Sequence, residues 1–254
     1  MGRKFGTGSA GSNRFRQNKK AVHALSTTVE ATTKRSNDDA MADRPLVDQL
    51  RSDITSSVFA PMEKLKFADL SKRYDVGIGT LREALTQLAS EGFVTLEAGK
   101  GFKVAPVSRE ELLEITAHFI DLEKRAIAES IRHGDETWES NLVAAHHRLT
   151  LIERLPWSER MERHSEWVQR HRDFHRALIA ACPGIWLVRL RSLMFDQLDR
   201  YRFLTKKAPE GLGARKFDEH SQIKDAALAH DLDKSVELIE HHIRDTSERI
   251  VSLL

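Results

Sequence analysis

Apolar positions along the chain fall into two regimes. Between residues 45 and 107 they form short, mixed runs. Leu46, Leu50, Ile54 and Val58 recur at helical spacing, and Phe67 to Tyr74 predicts a second short helix, broken by Asp75-Val76-Gly77. Ile78 to Glu91 predicts a third helix, with Leu81, Leu85 and Leu88 on one face and Gly92 as its cap. Two β-rich runs, Phe93–Glu97 and Phe102–Val104, flank Ala98-Gly99-Lys100-Gly101 and predict a hairpin. From Ser108 onward every period is helical. Ser108 and Glu111 form a capping box that opens a helix ending near Gly134. Further helices are expected over residues 137–155, 158–182, 185–207, 215–229 and 232–252, with a loop over 208–213 and Asp231 as the last N-cap. The expected fold class is mainly α: a winged helix-turn-helix domain over residues 45–107, then an antiparallel all-α helical bundle over 108–254.

Residues 1–44 show no apolar period. Gly, Ser, Thr, Asn and basic residues dominate, which predicts a disordered basic tail. Met41 opens Met-Ala-Asp-Arg-Pro directly before the first patterned helix, so translation is expected to start there as readily as at Met1. The formal charge of +2 is unevenly spread. The first forty residues carry eight basic and three acidic side chains, +5, which leaves −3 on the rest. Any nucleic-acid binding by the folded part must therefore come from a local patch. With 40% hydrophobic residues the chain can build a core, and no apolar run reaches the length of a membrane span. The single cysteine, Cys182, excludes a disulfide framework and a multi-cysteine zinc site, and fits a reducing cytoplasm. Beside Pro183 it has no activating partner, so it is expected to be buried and inert.

In a helix-turn-helix, the amino-terminal residues of the second helix lie near base edges. Here those are Gly77, Ile78, Gly79, Thr80 and Arg82. The glycines allow a close approach to phosphate, Thr80 can bond a phosphate, and Arg82 can pair with guanine. Gly99 and Lys100 make a basic hairpin tip, and Lys64, Lys66, Lys72 and Arg73 add local positive charge.

The run Leu81-Arg82-Glu83-Ala84-Leu85-x-x-Leu88-x-x-Glu91-Gly92-Phe93-Val94, followed by Gly99-Lys100-Gly101-Phe102-Lys103-Val104, resembles the GntR family of bacterial transcriptional regulators. The long helical second half resembles its FadR-type subfamily, which carries an FCD ligand domain. The stretch from Leu65-Lys66 to Leu85 is nearest to the carbon-starvation-induced branch. There are departures: the family's arginine at the start of the recognition helix falls on Gly77 and Ile78, and another DNA-contacting arginine falls on Ala68. Arg82 and Gly99 carry over.

Twelve histidines are present. His171 and His175 share a helix face with Trp167, Phe174 and Leu178, and so point inward. His220 lies near Ile223 and His242 one turn from Leu238, so imidazoles from three helices can converge on one divalent ion. His146, His147, His164, His230 and His241 are read as ordinary core or surface residues. FCD domains hold a metal through Asp-x-x-x-His on one helix and one histidine on each of the last two. The resemblance therefore implies His175, His220 and His242 as ligands, with His171 at the aspartate position. Four neutral imidazoles leave a divalent site at +2 rather than +1, and all-nitrogen ligation suits Zn or Ni. Arg200 and Arg202 are the candidate effector-binding residues, since guanidinium forks pair with carboxylates. Phe119 stands where many FCD domains have an arginine, four residues before Glu123.

Together these readings imply a cytoplasmic homodimeric repressor of a double-stranded DNA operator, with no membrane partner. Its affinity would be controlled by a small organic acid, glutarate or 2-hydroxyglutarate by the resemblance. The alternatives are a metal-dependent bundle enzyme, for which no nucleophile and base share a face, and a sensor of the metal alone.

Overall fold

The computed structural model describes residues 45–207 and 219–254. The expected tail, the Met41 start and the 208–213 loop lie outside the described residues. Backbone contacts divide the chain into Met1–Gln49 and Leu50–Leu254. Of the first unit, the described residues supply only the opening turn of helix α1 (Leu46–Thr55). The remainder of α1 and every later element belong to the second unit.

Helix α1 stops at Thr55 because Ser57 takes φ 67°, a left-handed turn. Val58, expected on the inward helical face, is therefore 42% exposed. Helices α2 (Phe67–Tyr74) and α3 (Ile78–Ser90) come next, joined where Asp75 takes φ 52° and Ser71 Oγ donates to Val76 O at 2.6 Å. Leu70, Leu81, Leu85, Leu88 and Phe93 bury the shared face. The hairpin is β2 (Val94–Glu97) and β3 (Gly101–Val104), and a strand that the apolar pattern does not reveal, β1 (Lys64–Leu65), joins it. The sheet is antiparallel in order β1-β3-β2, with Leu65 and Leu96 both opposite Phe102. Two residues cannot display a period of two, which is why β1 leaves no mark in the sequence. At the hairpin tip Gly99 has φ 74°, a conformation that disfavours a Cβ.

The second half is helical throughout the described residues. Ser108 caps α4 (Arg109–His133), accepting from the Glu111 N–H at 3.1 Å. The capping box is only half formed, because the Glu111 carboxylate turns to Arg200 and Tyr201 instead. Helix α5 (Glu136–Glu153) is capped by Asp135. The helix expected over 158–182 is two helices, α6 (Trp157–Glu162) and α7 (His164–Leu178). Arg163 between them leaves helical geometry at φ −102°, ψ 27°, and its guanidinium pairs with Glu166 in the first turn of α7. Helix α8 (Ile185–Asp199) tightens into a 3₁₀ turn over Arg200–Lys207. Helices α9 (Glu219–Leu228) and α10 (Leu232–Val251) close the chain, the latter capped by Asp231 as expected. Cys182 is half-buried, not buried.

Helix α4 packs along α8 and α10, and α5 along α7 and α9. Phe119, Ile127, Trp138, Leu142, Phe174, Ile223 and Ile239 form the continuous core. Each such side chain contributes about 1.5–3 kcal/mol by leaving water. The two halves meet through polar bonds. Gln197 Nε2 donates to Glu91 O at 2.6 Å, and Arg200 donates to Gly92 O at 3.2 Å while its other nitrogen is held by Glu111 within the bundle. These donors satisfy carbonyls that the end of α3 leaves open. None of the described helices is long and apolar enough to cross a membrane.

Gly134, between α4 and α5, is the position where a side chain does not fit, since a Cβ there would overlap the Trp138 indole. Trp138 is pinned by its Nε1–H bond to Ala177 O at 3.0 Å and cannot retreat without breaking it. Gly134→Ala is expected to lower unfolding free energy by about 1–3 kcal/mol in urea melts; a wild-type midpoint would contradict this packing.

Candidate effector centre and nucleic-acid interface

The amino-terminal turn of α3 is uncovered. Gly77, Ile78, Gly79, Thr80 and Arg82 are all exposed, with Ile78 at 56%. Gly77 has no side-chain cap to offer, so the first N–H groups of α3 remain available to an anion. Arg82 lies over the Phe67 ring, its guanidinium carbon 5.3 Å from the centroid, which steadies it on the surface. Lys66, Gly99 and Lys100 are exposed too, although Lys100 is shared with Glu97 at 3.5 Å. Arg73 is less available than its sequence position suggests: it pairs with Asp53 at 2.9 Å. Gly77 and Gly79 have open space beside their α-carbons, as a surface that lets another backbone approach requires.

The second constellation is buried. His171 and His175 on α7, His220 on α9 and His242 on α10 bring one ligand atom each within 4.8 Å of one another. All four are buried. His171 Nε2 and His175 Nε2 stand 3.2 Å apart, and the His220 and His242 ring centres are separated by 4.7 Å. None of the other described histidines enters the group.

What orients the rings is a shell of carboxylates that raw histidine spacing could not reveal. His220 Nδ1–H donates to Glu153 at 3.2 Å, and His242 Nδ1–H donates to Glu219 at 3.0 Å. His175 Nδ1 faces Glu123 at 3.6 Å. A carboxylate only accepts, so the two hydrogen bonds place the proton on Nδ1 of His220 and His242 and leave their Nε2 lone pairs toward the cluster. The residues fit a divalent ion: four ring nitrogens converge, and a carboxylate stands behind three of the rings. The carboxylates add negative charge behind the rings: Glu123, Glu153 and Glu219 stand behind His175, His220 and His242, and Arg191 pairs with Glu123.

Arg191 on α8 is 1% exposed and grips Glu123 with two nitrogens, one bond at 2.8 Å. Its guanidinium lies 5.3 Å from the Phe119 ring centre and 4.6 Å from that of Phe195. The apolar ring at position 119 thus leaves room for a guanidinium from another helix. Burial alone would raise the Glu123 carboxyl, but Arg191 and then His175 hold it down, to about 2. A signal for Glu123 is present in the sequence: it is the one acid on the inward stripe of Phe119, Ile120 and Ile127. Nothing comparable marks Arg191, Glu153 or Glu219.

Beside the imidazoles is a cavity whose open space, mouth included, is about 430 Å³. His175, His242, Phe119, Thr116, Ser247 and Arg202 are among its lining residues. Thr116 and Ser247 share a hydroxyl hydrogen bond of 2.9 Å. Arg202 lines this cavity; Arg200 does not, and spends its guanidinium on Glu111 and Gly92.

Residues 44–104 match the family described as bacterial regulatory proteins, gntR family, and residues 114–245 match the FCD domain. The chain is 37% identical over 199 residues to the HTH-type transcriptional regulator BphR of Paraburkholderia xenovorans (strain LB400), covering 78% of this chain and 80% of that protein. It is 37% identical over 198 residues to the HTH-type transcriptional repressor GlaR of Escherichia coli (strain K12), covering 76% and 89%. Among solved structures, E. coli McbR/YncC shares the fold with a TM-score of 0.72 at 15% identity, over 81% of this chain and 95% of that one.

Burial pushes His175 from 6.5 down to about 4, against the opposing pull of Glu123. Between those values the unfolded chain binds the proton and the folded chain does not. The metal-free protein is therefore expected to lose on the order of 2–3 kcal/mol of stability as pH falls from about 6.5 to about 4. Urea midpoints of chelator-treated protein at pH 7, 5.5 and 4.5 measure it, and a flat profile would contradict a neutral buried ring.

Proposed function

The chain belongs to the GntR family of bacterial regulatory proteins with an FCD domain, a transcriptional regulator and not an enzyme, and on that premise we propose that it is a FadR-type homodimeric repressor released from its operator by a short dicarboxylate. The DNA-reading surface is the start of α3 with the hairpin tip: Gly77, Ile78, Gly79, Thr80 and Arg82, flanked by Lys66, Gly99 and Lys100. The metal ligands are His171, His175, His220 and His242. The proposed domain limits are residues 45–107 for reading and 108–254 for sensing and dimerisation, in a cytoplasmic protein.

One observation carries the effector reading: a single cavity is lined by two of the clustered imidazoles and by a guanidinium. Phe195 packs against the His175 ring at 5.6 Å, and Arg202 comes seven residues later. Seven residues of helix advance on the order of 10 Å. A divalent ion at the imidazoles, Zn or Ni by the all-nitrogen donor set, supplies Lewis-acid attraction for one carboxylate. Arg202 supplies a fork for the second, and Phe119, Leu112 and Ile250 line an apolar path. A five-carbon diacid such as glutarate or 2-hydroxyglutarate fits that spacing. Arg200, facing the winged domain, serves coupling more than binding.

Gel shifts on the DNA upstream of the protein's own gene test the DNA reading. Binding is expected at low salt and falls steeply as salt rises. Arg82→Ala is expected to cost about 1–3 kcal/mol of operator affinity. Binding indifferent to salt, or unchanged in that variant, would sink it. Metal analysis tests the centre: protein purified without chelator is expected to carry a divalent ion, lost in His220→Ala and bound about 10–100-fold more weakly in Glu153→Gln. Absence of metal, together with glutarate binding that ignores chelators, would rule the metal out.

A further inference from the structure

A set of buried charges runs from Arg202 at the cavity to Thr55 on α1, and it turns on one carboxylate. Asp199, at the end of α8, is 1% exposed. Its Oδ2 accepts from Arg172 NH2 at 2.8 Å, and its Oδ1 accepts from Arg202 Nε. Arg172 follows His171 on α7. Its NH1 is held by Asp196, and the NH2 that meets Asp199 also donates to Thr55 Oγ1 on α1 at 3.1 Å. Two guanidinium groups bridge two carboxylates, with Arg176 and Arg51 also acting on Asp196; one end of the set lines the cavity, and the other touches the helix that precedes the reading head.

We propose that Asp199 is the positioning residue that carries effector binding to the reading head. This rests on the effector reading under Proposed function. A carboxylate arriving at Arg202 competes with Asp199 for the same guanidinium, in surroundings where charges interact more strongly than in water. Arg202 then divides its guanidinium between the newcomer and Asp199. Asp199, held less firmly by Arg202, pulls harder on Arg172. The NH2 of Arg172 gives one hydrogen to each of two acceptors, the charge-assisted bond to Asp199 being the stronger. Drawn further toward Asp199, the NH2 moves away from Thr55 and lengthens that weaker bond, while Asp196 keeps NH1 in place. The effector favours the state in which α1 is unlatched, and that preference is the coupling free energy.

The experiment uses the full chain, with succinate, glutarate and adipate as probes, in wild type, Thr55→Val and Asp199→Asn. Calorimetry reads probe binding and gel shift reads operator affinity with and without saturating glutarate. In wild type, glutarate is expected to weaken operator binding about 10-fold or more. Thr55→Val lies away from the cavity, removes the contact that binding would otherwise release, and is expected to bind glutarate at least as tightly as wild type, with the operator response reduced below about 3-fold. Asp199→Asn leaves Arg202 without its anionic partner and is expected to bind glutarate more tightly, again with the response lost. A full wild-type response in Thr55→Val would overturn the inference and leave the effector reading standing. Glutarate that binds wild type without moving its operator affinity would overturn it as well. If none of the three diacids binds wild type, the effector reading falls and this inference with it.

Discussion

A buried imidazole must place its N–H on an acceptor, and four of them packed together leave little freedom in where the acceptors stand. Much of the second half derives from that constraint. Glu153 on α5 answers His220, Glu219 on α9 answers His242, and Glu123 on α4 faces His175. A carboxylate at zero exposure is itself costly, and Glu123 is made tolerable by Arg191 from α8. The rings and their acceptors are thus drawn from several helices, tied together across the core. Removing either partner of such a pair strands a charge in the interior, typically a loss of about 3–5 kcal/mol. The polar centre is therefore as much a part of the bundle's architecture as Phe174 or Ile239.

The same logic governs the second buried group of charges. Asp199 and Arg172 are paired in the interior because neither could be there alone, and Asp196 and Arg202 extend the pairing. A network of this kind is rigid while its bonds are made and unsettled when a competing charge arrives. Phe195 touches both networks: its ring meets His171, His175 and both Arg172 and Arg191.

Periodicity makes most of the helices legible, because a helix longer than two turns repeats its apolar face several times. Leu81, Leu85 and Leu88 announce α3, and the inward stripe around His171 and His175 announces that these rings point to the core. What stays hidden has local or long-range causes. Strand β1 is too short to show a pattern. The break at Arg163 comes from one residue's backbone angles inside a run that reads as helical on both sides. The 3₁₀ turn after Asp199 keeps the same apolar spacing that a helix would. The partners of the histidines are the clearest case: Glu219 sits beside His220 in the chain yet bonds His242, so adjacency points to the wrong ring. A carboxylate's partner is a property of helix packing, and that is absent from any one helix.

Where Gln197 and Arg200 meet the end of the recognition helix, their acceptors are the main-chain oxygens of Glu91 and Gly92. Peptide carbonyls are present whatever the side chain. On the reading side these two bonds survive substitution of nearly every residue that faces DNA, while on the sensing side they depend on two particular side chains. The joint is therefore one-sided in heredity. A lineage can rewrite what the head recognises without renegotiating how the head is held, and the memory of the attachment resides in the sensor.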